Sequence, residues 1–247
     1  TAYPRLWERL ARLVWKERQK NNRESRRTNW WLFGEPVGKW RTASAGLPRY
    51  IATSRTARHR LFVLIDADTL PDTKVVAIAL DNAPAYLALL SSRVHLAWAR
   101  RTGGWLGVGN DSTYNHLECF GHFPFPPLSA QQVQELLGLG SRLDGHRKAR
   151  QQEFPDLGLT DLYNVLDKLR AKAPLSPQDE LVRDRGLVDT LLQIHHDIDR
   201  AALAAYGWPA DLGDEQIIER LVALNAERAA EEERGQVRWL RPSFQQQ

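Results

Sequence analysis

The chain has no methionine, a single cysteine at position 119, and no apolar run approaching the roughly 18 residues that a membrane-crossing helix needs. One cysteine excludes an internal disulfide framework. The missing apolar run argues against a helical membrane span. No basic segment leading into an apolar one follows Thr1, so no secretory signal is expected; a cytoplasmic domain cut from a longer protein is. Catalytic signatures are scarce as well. No G-x-x-x-x-G-K-[ST] phosphate cradle occurs, and "GVGND", residues 107 to 111, is a lone G-x-G without its third glycine. There is no acid-Pro-Pro-Tyr tetrapeptide, no Asp-Pro-x-x-Gly-x-Gly strand end to hold S-adenosylmethionine, and no serine in a G-x-S-x-G elbow. No catalytic residue is therefore assigned.

What is present is an ordinary globular composition, 247 residues of which 43% are hydrophobic and 26% charged, enough for one large or two modest cores. The net charge of +4 conceals a split. Residues 1 to 60 hold 15 Lys or Arg against four acids, and residues 61 to 247 hold 19 against 26. An anionic partner is expected at the N-terminal part and whatever folds beside it.

Residues 3 to 20 place Tyr3, Trp7, Leu10 and Val14 on one helical face and Arg5, Arg9, Arg12, Lys16 and Lys20 on the far side, which predicts a helix with one packed and one wet face. "KNNRESRRTNWW" breaks the period and adds positive charge. "LPRYIATSRTARHRLFVLID" then sets Arg49, Ser54, Arg55, Thr56, Arg58, His59 and Arg60 before the apolar run Leu61 to Ile65. "DTKVVAIAL", residues 72 to 80, is a second β-branched run. With Asp66, Asp68, Pro71 and Asp72 between them, the two runs are expected as adjacent strands of one small sheet, rimmed by the arginine and hydroxyl segment. From Asp81 and Asn82 to Gly103 the chain is apolar nearly all round, interrupted by Ser91 and Ser92, so a helix buried against that sheet is expected.

"GNDSTYNHLECFGHFPFPPL", residues 109 to 128, joins small and hydrogen-bonding side chains to a Phe and Pro run that cannot be helical. Such a stiff base suits polar tips that must discriminate, and Asn110, Asp111, Ser112, Thr113, Tyr114, Asn115 and His116 are the candidates for reading base edges. Beyond Pro127 helices are expected from Ser129 to about Gln152 and near 160 to 172, 177 to 206 and 213 to 234. In the third, Leu187, Leu191, Ile194, Ile198, Ala201 and Ala205 form a packing seam. The fold class expected is α+β: a basic helical lead-in over 1–40, a small twisted sheet with a buried helix over 41–128, and a helical bundle over 129–247.

Two clusters resemble chemistry. His116, Cys119 and His122 stand three apart, yet a structural zinc site needs four ligands and Cys119 reads equally as a small buried residue. "QIHHDIDR" offers His195, His196, Asp197, Asp199 and Arg200 on a helix whose polar faces explain them without catalysis. No metal is expected at either.

"RYIATSRTARHRLFVLID", "VVAIALDNAPAYLALLSSRVHLAWARRTGGWLGVG" and "YNHLECFGHFPFPPL" resemble the target-recognition domain of MmeI-like adenine-specific DNA methyltransferases, a group that includes bifunctional restriction-modification enzymes. "LTDLYNVLDKLRAKAPLSPQDELVRDRGLVDTLLQIHHDIDRAALAAYGWP" and "IIERLVALNAERAAEEERGQVRWLRPSFQ" are similar to the helical region that follows it. The resemblance covers most of residues 40 to 244. It implies that an upstream catalytic domain, absent from this sequence, binds S-adenosylmethionine and methylates a flipped adenine, that the chain itself carries no cofactor, and that its partners are double-stranded DNA and that N-terminal methyltransferase domain, with no membrane. Thr53 to Arg60 matches the entry of the recognition domain. Ser54, Arg55, Arg58, His59 and Arg60, with Lys39, Arg41 and Arg49, are accordingly expected on the DNA backbone. Trp105 to His116 falls where base-reading side chains vary. Leu117 and Gly121 depart from the basic or hydroxyl residue and the aspartate of the family pattern, so no target sequence is carried over. The competing expectations are a helical interaction scaffold with an exposed seam from Leu187 to Ala205, and a small metal-dependent nuclease built on the histidine clusters.

Overall fold

A computed structural model describes residues 2–32, 38–106 and 111–246. The chain forms two compact units, Thr1–Ala45 and Gly46–Gln247. In the first, α1 (Pro4–Leu10) passes through a π-helical turn at Ala11–Trp15 into α2 (Lys16–Arg18), and α3 (Glu24–Thr28) and α4 (Gly38–Ser44) follow. The expected amphipathic helix is therefore one rod with a wider turn in its middle. Its apolar residues find little cover: Trp7 meets Trp30 and Trp31 at ring centroids 5.0 and 5.6 Å away, while Tyr3 and Leu10 stay exposed.

The second unit is α+β. Strand β1 (Arg49–Ser54) lies between β3 (Val63–Asp66) and β4 (Val75–Ile78), antiparallel to both. The two apolar runs are strands as expected, but they are not neighbours. Tyr50, Ile51, Ala52 and Thr53, which lie between the rim candidates Arg49 and Ser54, are buried and make the central strand instead. A second sheet orders β2 (Thr56–Ala57), β6 (Asp111–Thr113) and β5 (Trp105–Leu106). Chain leaving β1 at Ser54 thus enters the second sheet after a single residue, Arg55.

The apolar helix is split into α5 (Ala83–Ser91) and α6 (Arg93–Thr102), because Ser92 is extended and its Oγ accepts from the His95 amide as the cap of α6. Helix α5 contributes Leu87 and Leu90 to the core under the first sheet and Ala85 and Ala88 to a second core shared with α7 (Ala130–Glu153). The approach of α5 to α7 depends on Gly140. A Cβ there would stand 1.8 Å from the Pro84 carbonyl oxygen. Ser129 and Gln132 form the capping box that starts α7.

Helices α8 (Leu159–Arg170), α9 (Pro177–Gly186), α10 (Val188–Ala205), α11 (Asp214–Glu233) and the short α12 (Pro242–Gln245) complete the unit. The helix expected over 177 to 206 is two helices. Gly186 packs so tightly on α8 that a Cβ would meet Leu162 Cδ2 at 2.1 Å, and Leu187 turns through φ 44°. Leu187 is consequently exposed and leaves the seam, whereas Leu191, Ile194, Ile198, Ala201 and Ala205 are buried. No helix among the described residues is long and apolar enough to cross a membrane.

Candidate nucleic-acid interface

Alternation along the strands decides which of the candidate side chains face outward. Ser54, Arg55 and Arg58 are exposed at the end of β1 and on either side of β2, and His59 is half-buried, with Nε2 2.8 Å from Asn164 Oδ1 and Nδ1 3.4 Å from the Asp167 carboxylate. Arg55 Nε donates to the Thr73 carbonyl at 2.7 Å, which leaves its terminal amino groups outward. Arg49 leans on the Asp144 carboxylate at 3.5 Å, a group that Lys148 also engages at 2.9 Å. Lys39 and Arg41 are exposed on α4 of the first unit.

Arg60 is placed differently. It is buried, and its guanidinium donates to Thr53 Oγ1, to the Ser54 carbonyl and, at 2.7 Å, to the Ser112 carbonyl. It ties the end of β1 to β6, and burial pulls its pKa down although the nearby Tyr114 and Cys119 work the other way. A basic residue two positions from Arg58 is thus a brace beneath it.

The polar tips divide in the same manner. Asn110 lies outside the described residues. Ser112 and Tyr114 point inward and are buried; Ser112 Oγ donates to the Ala57 carbonyl, and the Tyr114 hydroxyl meets His95 Nε2 at 3.0 Å. Burial raises the Tyr114 pKa and lowers that of His95 to about 3, with the positive Arg60 adding to the second shift. Asn115 caps the π-helical turn His116–Gly121 by accepting from the Leu117 and Glu118 amides. Asp111 and Thr113 are half-buried and His116 is exposed, so these present the polar surface. The stiff base is real: Phe123 stacks edge-on against His95 and Phe125, at 4.5 and 4.8 Å.

Some neighbours of these residues were not singled out in the sequence, although Trp105 and Leu106 open the interval where base-reading side chains were expected. Trp105 and Leu106 are exposed on β5, opposite Ser112 and Asp111 in register, and Leu117 is exposed on the π-helical turn. Arg100 and Arg101 are exposed at the end of α6, just before β5. The signal was available in "RRTGGWL", where two arginines precede a glycine pair that ends the helix.

The most informative property is the absence of counter-charge. Among the described residues Arg55, Arg58, Arg60, Arg100 and Arg101 form no ion pair, whereas Arg150, Arg183, Arg185 and Arg200 on the helices each meet a carboxylate. Each of the two histidine clusters is divided between interior and surface. Cys119 is buried with its thiol toward the Ala99 carbonyl, while His116 and His122 lie on the surface. His195 is buried, His196 is exposed, and Asp197 and Asp199 accept from Arg200 and from the Arg93 amide.

The type IIL restriction-modification enzyme MmeI, solved in complex with DNA, has a similar fold, with a TM-score of 0.56 and 16% sequence identity over 91% of this chain and 26% of that one. The likeness is one of fold. The chain thus spans about a quarter of the length of MmeI. No family model and no curated protein matches.

Proposed function

We propose that this chain is a DNA target-recognition module: the sequence-specific part of an S-adenosylmethionine-dependent adenine-N6 DNA methyltransferase of a restriction-modification or phage-defence system. Cofactor and methyl transfer belong to a separate N-terminal domain of the parent. The observation that carries the reading is the fold shared over 91% of the chain with a restriction-modification enzyme bound to DNA. The unpaired arginines around the second sheet support it, since guanidiniums without carboxylate partners are what a polyanion neutralises.

In this reading Arg55 and Arg58 contact phosphates, with Ser54 and Arg49 contributing at the margins, and Arg100 and Arg101 extend the same surface; Lys39 and Arg41 belong to the first unit. Asp111, Thr113 and His116 face base edges. Arg60, Ser112, Tyr114 and Asn115 do not read; their hydrogen bonds hold the reading strand steady. The scaffold alternative loses its basis, because the seam that would have docked a partner is buried apart from Leu187.

The test is selection of bound sequences from a random duplex pool. One short motif enriched by the full chain, and shifted by Asp111→Asn or His116→Ala, is the expected result; salt-sensitive binding with no enrichment would place base reading elsewhere and contradict it.

A further inference from the structure

Arg58, Arg60, Arg100, Arg147 and Arg170 line a single cavity of about 200 Å³ in the second unit. Asp167 is the one carboxylate on its wall among the described residues, and it is already engaged by Arg170 at 3.7 Å and by His59 at 3.4 Å. Arg60 and Arg147 are buried, at 9% and 3% exposure, and neither forms an ion pair among the described residues. Arg147 donates only to neutral acceptors, the Phe62 carbonyl at 2.8 Å and the Tyr163 hydroxyl. Two buried guanidiniums on one cavity lining without a counter-ion are costly in a protein that offers them no anion.

The unpartnered polar atoms on the same wall have one character. Ser91 Oγ, Arg147 Nε and His195 Nδ1 are buried without a hydrogen-bond partner, on residues no more than 3% exposed. Their protonation follows from the chain of bonds behind them. The Tyr163 hydroxyl accepts from Arg147, so its own proton goes to His195 Nε2, 2.7 Å away. Burial, reinforced by Arg147 and Arg170, keeps that imidazole neutral, which leaves its remaining proton on Nδ1. All three are donors: a hydroxyl, a guanidinium N–H and an imidazole N–H. Each can donate to an anion, and the Asp167 carboxylate on the wall is already taken up by Arg170 and His59.

We infer that this cavity is a phosphate-binding site, in which Arg147, Ser91 and His195 hold the phosphate oxygens and Arg58, Arg100 and Arg170 close over it from the rim. Guanidinium forks match phosphate geometry, and a surplus of four positive charges favours a dianion over a carboxylate. The volume admits a phosphate and a few further atoms, and Trp105 is also on the lining. The phosphate is supplied either by a nucleic-acid strand or by a free small phosphate ester. The inference does not require the duplex reading.

Calorimetric titration of the full chain with inorganic phosphate, at ionic strength held constant with chloride, tests it. Saturable one-to-one binding is expected, weakened about tenfold or more in an Arg100→Ala, Arg170→Ala double variant. Both residues are exposed in part or in full, so the fold should survive, and the Arg183→Ala control should bind phosphate as the parent chain does. No saturable binding, or equal binding by the double variant, overturns the proposal. A competing DNA duplex separates the sources. Duplex displaced by phosphate identifies a strand as donor of the group, whereas duplex binding indifferent to saturating phosphate identifies a free ester. Phosphate binding without any duplex binding would remove the recognition reading and leave this one standing.

Discussion

Arginines around the second sheet and several arginines on the helical layer are opposite in circumstance. On the helices Arg183 is shared between Glu180 and Asp189, Arg185 meets Asp156 and Arg200 meets Asp197. Around the second sheet Arg55, Arg58, Arg100 and Arg101 have no carboxylate among the described residues. Composition alone would give both regions the same label, charged. The pairing separates them: a paired arginine solubilises a helix and contributes little to stability or binding, whereas an unpaired cluster generates a field.

The strongest way to break the comparison is to separate the two layers. Gly140→Ala puts a methyl into the Pro84 carbonyl, where α5 meets α7, and is expected to cost about 3 kcal/mol of unfolding free energy, measured by urea denaturation. A cost below about 1 kcal/mol would show that the joint is loose.

Acid sharpens the comparison next, because each region buries one histidine. His95, under the second sheet, has its pKa lowered to about 3 by burial, and His195, on α10, is lowered in the same direction by the same cause. The unfolded chain protonates both near pH 6.5 and the folded chain does not, so stability is lost as pH falls from about 6.5 toward 3, by up to about 1.4 kcal/mol per pH unit for each histidine. Asp199, raised by burial, opposes this only at the acid end, and the half-buried Asp179 and Glu231, held near 2 by their hydrogen bonds, add losses only below about pH 4. Urea midpoints between pH 7 and 5 should therefore fall, and His195→Gln should flatten the slope. An unchanged slope would mean that His195 is not buried neutral.

Smaller effects follow at the surface. Arg58→Ala is expected to weaken duplex binding about fivefold to tenfold at low salt without changing the urea midpoint, while Arg183→Ala should change stability by less than about 0.5 kcal/mol and leave duplex binding untouched. Loss of binding in the second variant would erase the distinction between the two regions.

The α+β class, the buried apolar helix and most helix positions were legible in the sequence, because periodicity and capping residues mark them directly. Ser129 and Gln132 announce α7, and Ser91 and Ser92 mark the break between α5 and α6. Burial of single charged or polar residues was not legible. Arg60 stands in the same basic string as Arg55 and Arg58, and only the pairing of β2 with β6 turns it inward onto Ser112. Likewise Asp111, Ser112, Thr113 and Tyr114 look like a uniform polar stretch until strand alternation hides the second and fourth. Tyr50 to Thr53 were masked by the arginines around them, although "YIAT" is a fair strand. The bend at Leu187 depended on the contact of Gly186 with Leu162, which no local pattern reveals.

The most direct test is the salt dependence of duplex binding by the full chain beside its Arg58→Ala and Arg183→Ala variants. The expected result is a steep fall of log affinity with log salt, reduced by about one in slope for Arg58→Ala and unchanged for Arg183→Ala. Binding that ignores salt, or two variants that cannot be told apart, would contradict the claim that the unpaired arginines of the second sheet face DNA.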